Sequence, residues 1–192
     1  MTDFLAVMAI MAWPVVPLFW IPVHGFSRFF KNIGLMTYLL PAITWLPLAY
    51  ALYHHREFLL KFKLIFPAAV PVAGTVLLLA GTILHVWTGM LLGLRGLMGL
   101  PEVSSRVKGS LVTGGPFSIV RHPTYLAHTM MFFGIFLMSG VIAVAVITFM
   151  DLVLINFVII PLEDRELASR FGDDYKLYME RVAGFFPRIT QR

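Results

Sequence analysis

Two short polar clusters stand out in this chain, Arg121-His122-Pro123 and Glu163-Asp164. Proline suits the first position of a helix, where its missing N–H is no loss, so the triplet reads as the entry to a helix starting at Pro123. A helix start presents free N–H groups and a partial positive charge. With Arg121 and His122 beside it, the expectation is a small anion site. Gly114-Gly115-Pro116, just upstream, reads as a turn that lets backbone approach a ligand closely. Glu163, Asp164 and Glu166 crowd what reads as the first turn of a new helix after Pro161, which can break or bend the chain. Carboxylates are favoured there on electrostatic grounds alone, and one of them could accept hydrogen bonds from a ligand's amine or hydroxyls. The triplet also has a plainer reading, since arginine at a membrane edge snorkels to headgroups and proline commonly starts helices.

The elements that must position these groups are membrane helices. Of the 192 residues 59% are hydrophobic, and mean hydropathy is +0.84; ordinary soluble domains are about 45–50% apolar. The chain has no cysteine, which excludes disulfide scaffolds, thiolate zinc sites and cysteine nucleophiles. A net charge of +5 on so apolar a chain points to anionic lipid headgroups and away from nucleic acid. A span needs about 20 apolar residues. On that basis the expected fold is all-α: one membrane domain over residues 1–192 with about five transmembrane helices. The spans read as Phe4–Val23, Ile33–Tyr53, Leu64–Leu92, Pro123–Met138 and Val141–Pro161. The first lacks a basic leading region and a small-residue cleavage site, so it reads as a retained helix. The last two form a helical hairpin about Ser139-Gly140. Leu162, Leu167, Phe171, Tyr175, Tyr178 and Val182 then mark an amphipathic helix interrupted near Gly172, which either lies on the membrane or folds back over residues 109–122.

Basic residues divide unevenly between the loops. The first loop, the 93–122 segment and the tail hold twelve Lys and Arg; the remaining loops hold three. The positive-inside rule then puts the N-terminus outside and the C-terminal tail in the cytoplasm, so both polar clusters face the cytosol.

An ordered set of motifs carries a resemblance: LVTGGPF (111–117), RHPTY (121–125), then a hairpin, then the acidic pair, FGDDYKLY and FFP within 163–187. Together these resemble the isoprenylcysteine carboxyl methyltransferase family and its phospholipid methyltransferase-like relatives, over roughly the last 85 residues. The resemblance implies S-adenosyl-L-methionine as cofactor, held by Ser110, Leu111, Val112, Phe117, Arg121, His122, Pro123, Thr124, Tyr125 and Glu163. It also implies a lipophilic or small-molecule methyl acceptor reached from the bilayer. Two positions depart from the family pattern. Gly109 stands where a histidine is usual, and Ile159 stands where an arginine serves the acceptor's carboxylate. An isoleucine cannot hold a carboxylate, so an amine, a phenol or an apolar thiol becomes as good a candidate.

Asp151, deep in the fifth span, and position 159 are the candidate substrate-side residues; Asp151 would pair with His85 or Asn156. His85 and Trp87 could line the same cavity or pack in the core, and His128 could face the cofactor cleft or the helix interior. No metal site is expected, since His54-His55 have too few further ligands nearby. Two other readings compete: an NADPH-dependent sterol-reductase-like enzyme and a non-catalytic membrane subunit.

Overall fold

The computed structural model describes residues 1–104, 106, 107 and 109–187. Lys108, Arg188 and Arg192, three of the basic residues counted above, lie outside the described residues. The described chain is all-α, with isolated bridges (Lys63 to Val141, Val120 to Ala183) as its β pairing. The helices are α1 (Thr2–Ala12), α2 (Val15–Gly25), α3 (Ser27–Ile33), α4 (Leu39–His54), α5 (Arg56–Leu59), α6 (Ala69–Leu97), α7 (Leu100–Val103), α8 (Pro123–Ser139), α9 (Ile142–Leu154), α10 (Ile160–Phe171) and α11 (Asp173–Arg181).

Four stretches are long and apolar enough to cross a membrane: Thr2–Gly25, Ser27–His54, Ala69–Val103 and Ile142–Phe171. The expected fourth span, α8, has 17 residues and falls short of them. Large apolar side chains such as Ile43 and Phe157, 71% and 77% exposed, point outward, as lipid-facing residues do.

Contacts sort the connections into two ends. At one end Lys63 Nζ meets Asp3 at 2.7 Å, and the Leu64 N–H donates to the Gly140 carbonyl at 2.8 Å. The N-terminus, the loop after α5 and the α8–α9 turn therefore gather together. Gly140 makes that turn at φ 68°, and a Cβ there would sit 2.1 Å from the Leu64 carbonyl oxygen. At the other end Lys31 reaches Glu166 at 2.8 Å, the Tyr38 hydroxyl donates to the Met98 carbonyl at 2.6 Å, and the Arg121 N–H donates to the Ala183 carbonyl at 2.7 Å.

Two sequence expectations need correction. Pro161 does not break the chain, and although Glu163 stands in the first turn of α10 as expected, α10 continues α9 and is not a new helix. Helix α9 runs through a π turn at Ile155–Ile159 into α10 without interruption. A wider turn just ahead of a proline absorbs the missing N–H and the ring's clash with the preceding carbonyl. The amphipathic stretch does break at Gly172, φ 61°, and α11 folds back over the 109–122 segment as one of the two alternatives anticipated.

Helices α6 and α8 pack along a glycine seam. A Cβ on Gly134 would lie 2.7 Å from the Gly74 oxygen and the Leu78 nitrogen, and one on Gly81 would lie 2.9 Å from the Ala127 oxygen. Lipid tails are as apolar as leucine, so membrane helices associate through such close backbone approach. The seam sets the spacing of side chains just beyond it, His85 on α6 and His128 on α8. Beyond them α6 kinks at Gly93, φ 66° and ψ 170°, near the expected end of the third span.

Candidate active site

Residues 119–122 run beside the returning tail: the Arg121 and His122 N–H groups donate to the carbonyls of Ala183 and Gly184 at 2.7 and 3.0 Å. This register aims both side chains at α10. Asp164 is the hub. Its Oδ2 accepts from the Arg121 guanidinium at 2.7 Å, and its Oδ1 accepts from His122 Nε2 at 2.9 Å and from the Tyr175 hydroxyl. His122 Nδ1 lies 3.4 Å from Glu163 Oε2, an ion pair that lacks hydrogen-bond alignment. Arg121 also donates to the carbonyls of Met179 and Val182, and the Tyr178 hydroxyl donates to the Phe117 carbonyl.

The expected anion site is therefore corrected. Arg121 and His122 are not free for an incoming anion, because buried cations take carboxylate partners and α10 supplies two. Burial alone would lower the His122 imidazole, but the charge of Glu163 and the hydrogen bond to Asp164 outweigh it and hold it up at about 9. Burial and the hydrogen bond to Asp164 hold the Tyr175 hydroxyl far above its ordinary value. At neutral pH the cluster holds two positive and two negative charges.

That shift has a sign. An imidazole at about 9 when folded and near 6.5 when unfolded stabilises the fold fully below pH 6.5, and the contribution is lost as pH rises through about 9. The thermal midpoint should fall across that interval, and the fall should be shallower in His122→Asn. Thermal denaturation of both proteins from about pH 6 to 10 tests this; parallel curves would refute it.

The cluster forms part of the wall of a cavity of about 560 Å³. Of the residues expected to hold a cofactor, Ser110, Leu111, Val112, Phe117, Arg121, His122, Thr124, Tyr125 and Glu163 all line it; Pro123 sits just off it as the first residue of α8. Glu163 Oε2 is buried there without a hydrogen-bond partner. Gly114 and Gly115 are not on the wall. The close approach of Gly115, φ 60°, is to Leu91 and Trp87 of α6.

Ile159 and Asp151 are also off the wall. Ile159 is fully buried in a cluster with Val16, Tyr125, Ile155, Ile160 and Phe185. Asp151 pairs with neither His85 nor Asn156: it accepts from Trp13 Nε1 at 3.0 Å and lies 3.4 Å from the Thr129 hydroxyl, while Asn156 donates to the Leu152 carbonyl. Both placements follow from their helical phase, which turns them toward α1, α2 and α8.

Sequence reasoning missed Arg95, Glu102, Leu167 and Arg170, which share the wall. Arg170 bridges Glu102 and Glu166 at 2.7 and 2.6 Å. A Cβ on Gly109 would lie 3.1 Å from its Nη1 and 3.1 Å from the Pro101 Cβ, so a side chain at 109 would have to push against Arg170 and Pro101. An acidic and a basic residue 68 positions apart leave no local signal.

The phospholipid methyltransferase family model matches residues 70–174, from the start of α6 into α11. The chain belongs to the phospholipid methyltransferase family. The match reaches further toward the N-terminus than the motifs do and takes in α6, which supplies one side of the cavity. Among curated proteins, the cobalt-zinc-cadmium resistance protein CzcN of Cupriavidus metallidurans is 35% identical over 88 residues, 46% of this chain and 40% of that protein. The nickel-cobalt-cadmium resistance protein NccN of Alcaligenes xylosoxydans xylosoxydans is 33% identical over 46% of this chain and 41% of its own length. Methanethiol S-methyltransferase 1 of Bradyrhizobium diazoefficiens is 34% identical over 98 residues, 47% of this chain and 33% of that protein. The chain thus spans about two fifths or less of the length of these relatives.

Proposed function

We propose that this protein is an integral membrane methyltransferase that passes the methyl group of S-adenosyl-L-methionine to a lipophilic acceptor at the cytoplasmic face of the bilayer. The observation that carries the reading is Glu163 Oε2, a buried carboxylate oxygen that faces His122 Nδ1 at 3.4 Å without an aligned hydrogen bond, on the wall of a cavity that the family's motifs line. A carboxylate oxygen without an aligned hydrogen bond can still accept one, and a ligand's ammonium group would supply it. The donor has such a group, and the residues fit the rest of it. Arg95, exposed on the rim and in no ion pair with a described residue, would meet its carboxylate. Phe117, Tyr125 and Tyr178 offer aromatic faces for an adenine and a sulfonium. The volume lies within the 300–1,000 Å³ range of small-molecule sites.

The gathering of the 109–122 segment with the tail at one end supports five crossings, with α8 as the short one, the N-terminus outside and the tail in the cytoplasm. A soluble donor would then enter from the cytosol and the acceptor from the bilayer. The chain's own task is alignment and exclusion of water, since methyl transfer from a sulfonium is an in-line displacement.

Calorimetric titration of the detergent-purified chain should show one S-adenosyl-L-methionine bound per chain and no heat with NADPH. Binding of NADPH without S-adenosyl-L-methionine would refute the proposal and favour a reductase.

A further inference from the structure

Two histidines on the cavity wall play no part in the carboxylate cluster. His85 of α6 and His128 of α8 have ring centroids 4.8 Å apart with planes inclined at 31°, and both line the cavity. The Nδ1 atom of each is buried and has no hydrogen-bond partner. The pairing is built into the fold: Gly81, one turn ahead of His85, brings α6 against Ala127, the neighbour of His128. At about 1.5 Å of rise per residue, His128 lies roughly 8 Å along α8 from Pro123, below the end of the cavity that holds Glu163. His85 faces it from α6, and His122, Tyr125 and Glu163 stand on the same wall nearer the helix start. A buried polar atom without a partner destabilises the fold, and here two of them sit against each other at the membrane side of a site.

We infer that His128, held against His85, is the catalytic base that takes the proton from the methyl acceptor, and that the acceptor is an apolar thiol. The inference rests on the methyl-transfer reading above. A carboxylate acceptor has no proton to give up and would need a cation. Ile159 supplies none, Arg121 and Arg170 are already paired with acids, and Arg95 on the rim is taken by the donor's own carboxylate in the reading above. An amine would arrive as an ammonium ion seeking a carboxylate of its own: Glu163 is taken by the donor's ammonium in the reading above, Glu102 is paired with Arg170, and Asp151 is bonded to Trp13 away from the cavity. A thiol needs neither counter-charge, and its weakly polar S–H costs less to bring out of water than the hydroxyl of a phenol. Its S–H proton passes to a ring nitrogen of His128. The sulfur's electron pair forms the new S–CH₃ bond while the donor's bond to that methyl breaks, its electrons going to the donor sulfur. The products are a methyl thioether, the demethylated donor and an imidazolium, which returns its proton to water through the cavity.

The test uses the full chain in detergent with octanethiol and octanoate as matched probes. Calorimetry follows S-adenosyl-L-methionine affinity, and methylation is followed across pH. The wild type should methylate octanethiol and leave octanoate unchanged. His128→Asn should keep donor affinity within about twofold and lose at least about 100-fold in kcat at neutral pH, the scale of a general base. Its residual rate should climb about tenfold per pH unit as solvent ionises the thiol, a profile that a packing defect would not produce. His85→Asn should show the same profile with a smaller loss. Unchanged kcat in His128→Asn overturns the inference. Turnover of octanoate, or of neither probe, by a wild type that binds the donor also overturns it. Loss of donor affinity in both variants would place the pair in the donor site and overturn it as well. A wild type that fails to bind the donor refutes the underlying reading instead.

Discussion

Asp164→Ala should lower the unfolding free energy by about 3–5 kcal/mol, the scale of removing one partner from a buried ion pair. Three segments converge on this carboxylate: Arg121 and His122 from the entry to α8, and Tyr175 from α11. The Arg121 and Asp164 side chains are 9% and 12% exposed, so water cannot replace what is removed. Alanine leaves the Arg121 guanidinium with backbone carbonyls but no counter-charge, and leaves the Tyr175 hydroxyl, on a residue 1% exposed, without its acceptor. His122 keeps Glu163, so the loss stays below the sum of its parts. Asp164→Asn keeps an acceptor for Tyr175 but not the charge, and should fall between alanine and wild type. Adding Arg121→Met to Asp164→Ala should recover part of the loss, because the stranded cation is then gone. Thermal and denaturant unfolding in detergent read all four proteins. A change below about 1 kcal/mol in Asp164→Ala would show that the two backbone bonds from Arg121 N–H and His122 N–H hold the tail without the side-chain hub.

What was legible in the sequence was what depends on neighbours along the chain. Pro123 starts α8 because a proline after two cationic residues has few other uses at that position. Ser139-Gly140 closes the hairpin, and Gly172 ends α10 at a φ that suits glycine. Nine of the ten residues expected to hold the cofactor share one cavity, all but Pro123, because each motif is short enough to bring several side chains to one wall. What was illegible depends on pairing between helices. The passage through Pro161 needs the π turn ahead of it, and that extra width leaves no mark in apolar periodicity. Arg121 and His122 read as free cations because their partners lie more than 40 positions away. Asp151 finds Trp13 across 138 positions, and only the approach of α1 to α9 decides that choice over His85. The His85–His128 contact depends on which faces of α6 and α8 carry Gly74, Gly81 and Gly134. Both helices are apolar around most of their circumference, so periodicity does not select the seam.

Glu163→Gln should weaken S-adenosyl-L-methionine binding by about 10- to 150-fold while leaving the fold in place. The substitution keeps shape and one acceptor oxygen, and removes the charge and the second acceptor. A hydrogen bond to a charged group contributes about 1.5–3 kcal/mol, and that range sets the expected loss. His122 retains its bond to Asp164, so the cluster stays assembled and the unfolding midpoint should move less than in Asp164→Ala. The discriminating ligand is methylthioadenosine, which has the adenosine and the thioether but lacks the ammonium group. If Glu163 Oε2 receives that ammonium, methylthioadenosine should bind wild type and Glu163→Gln equally, and calorimetry should show the loss for the full donor alone. If both ligands weaken together, Glu163 shapes the cavity without touching the amine, and its oxygen beside His122 has another purpose. If neither weakens, the residue is no part of the donor site, and the assignment of this cavity to S-adenosyl-L-methionine loses the observation on which it stands.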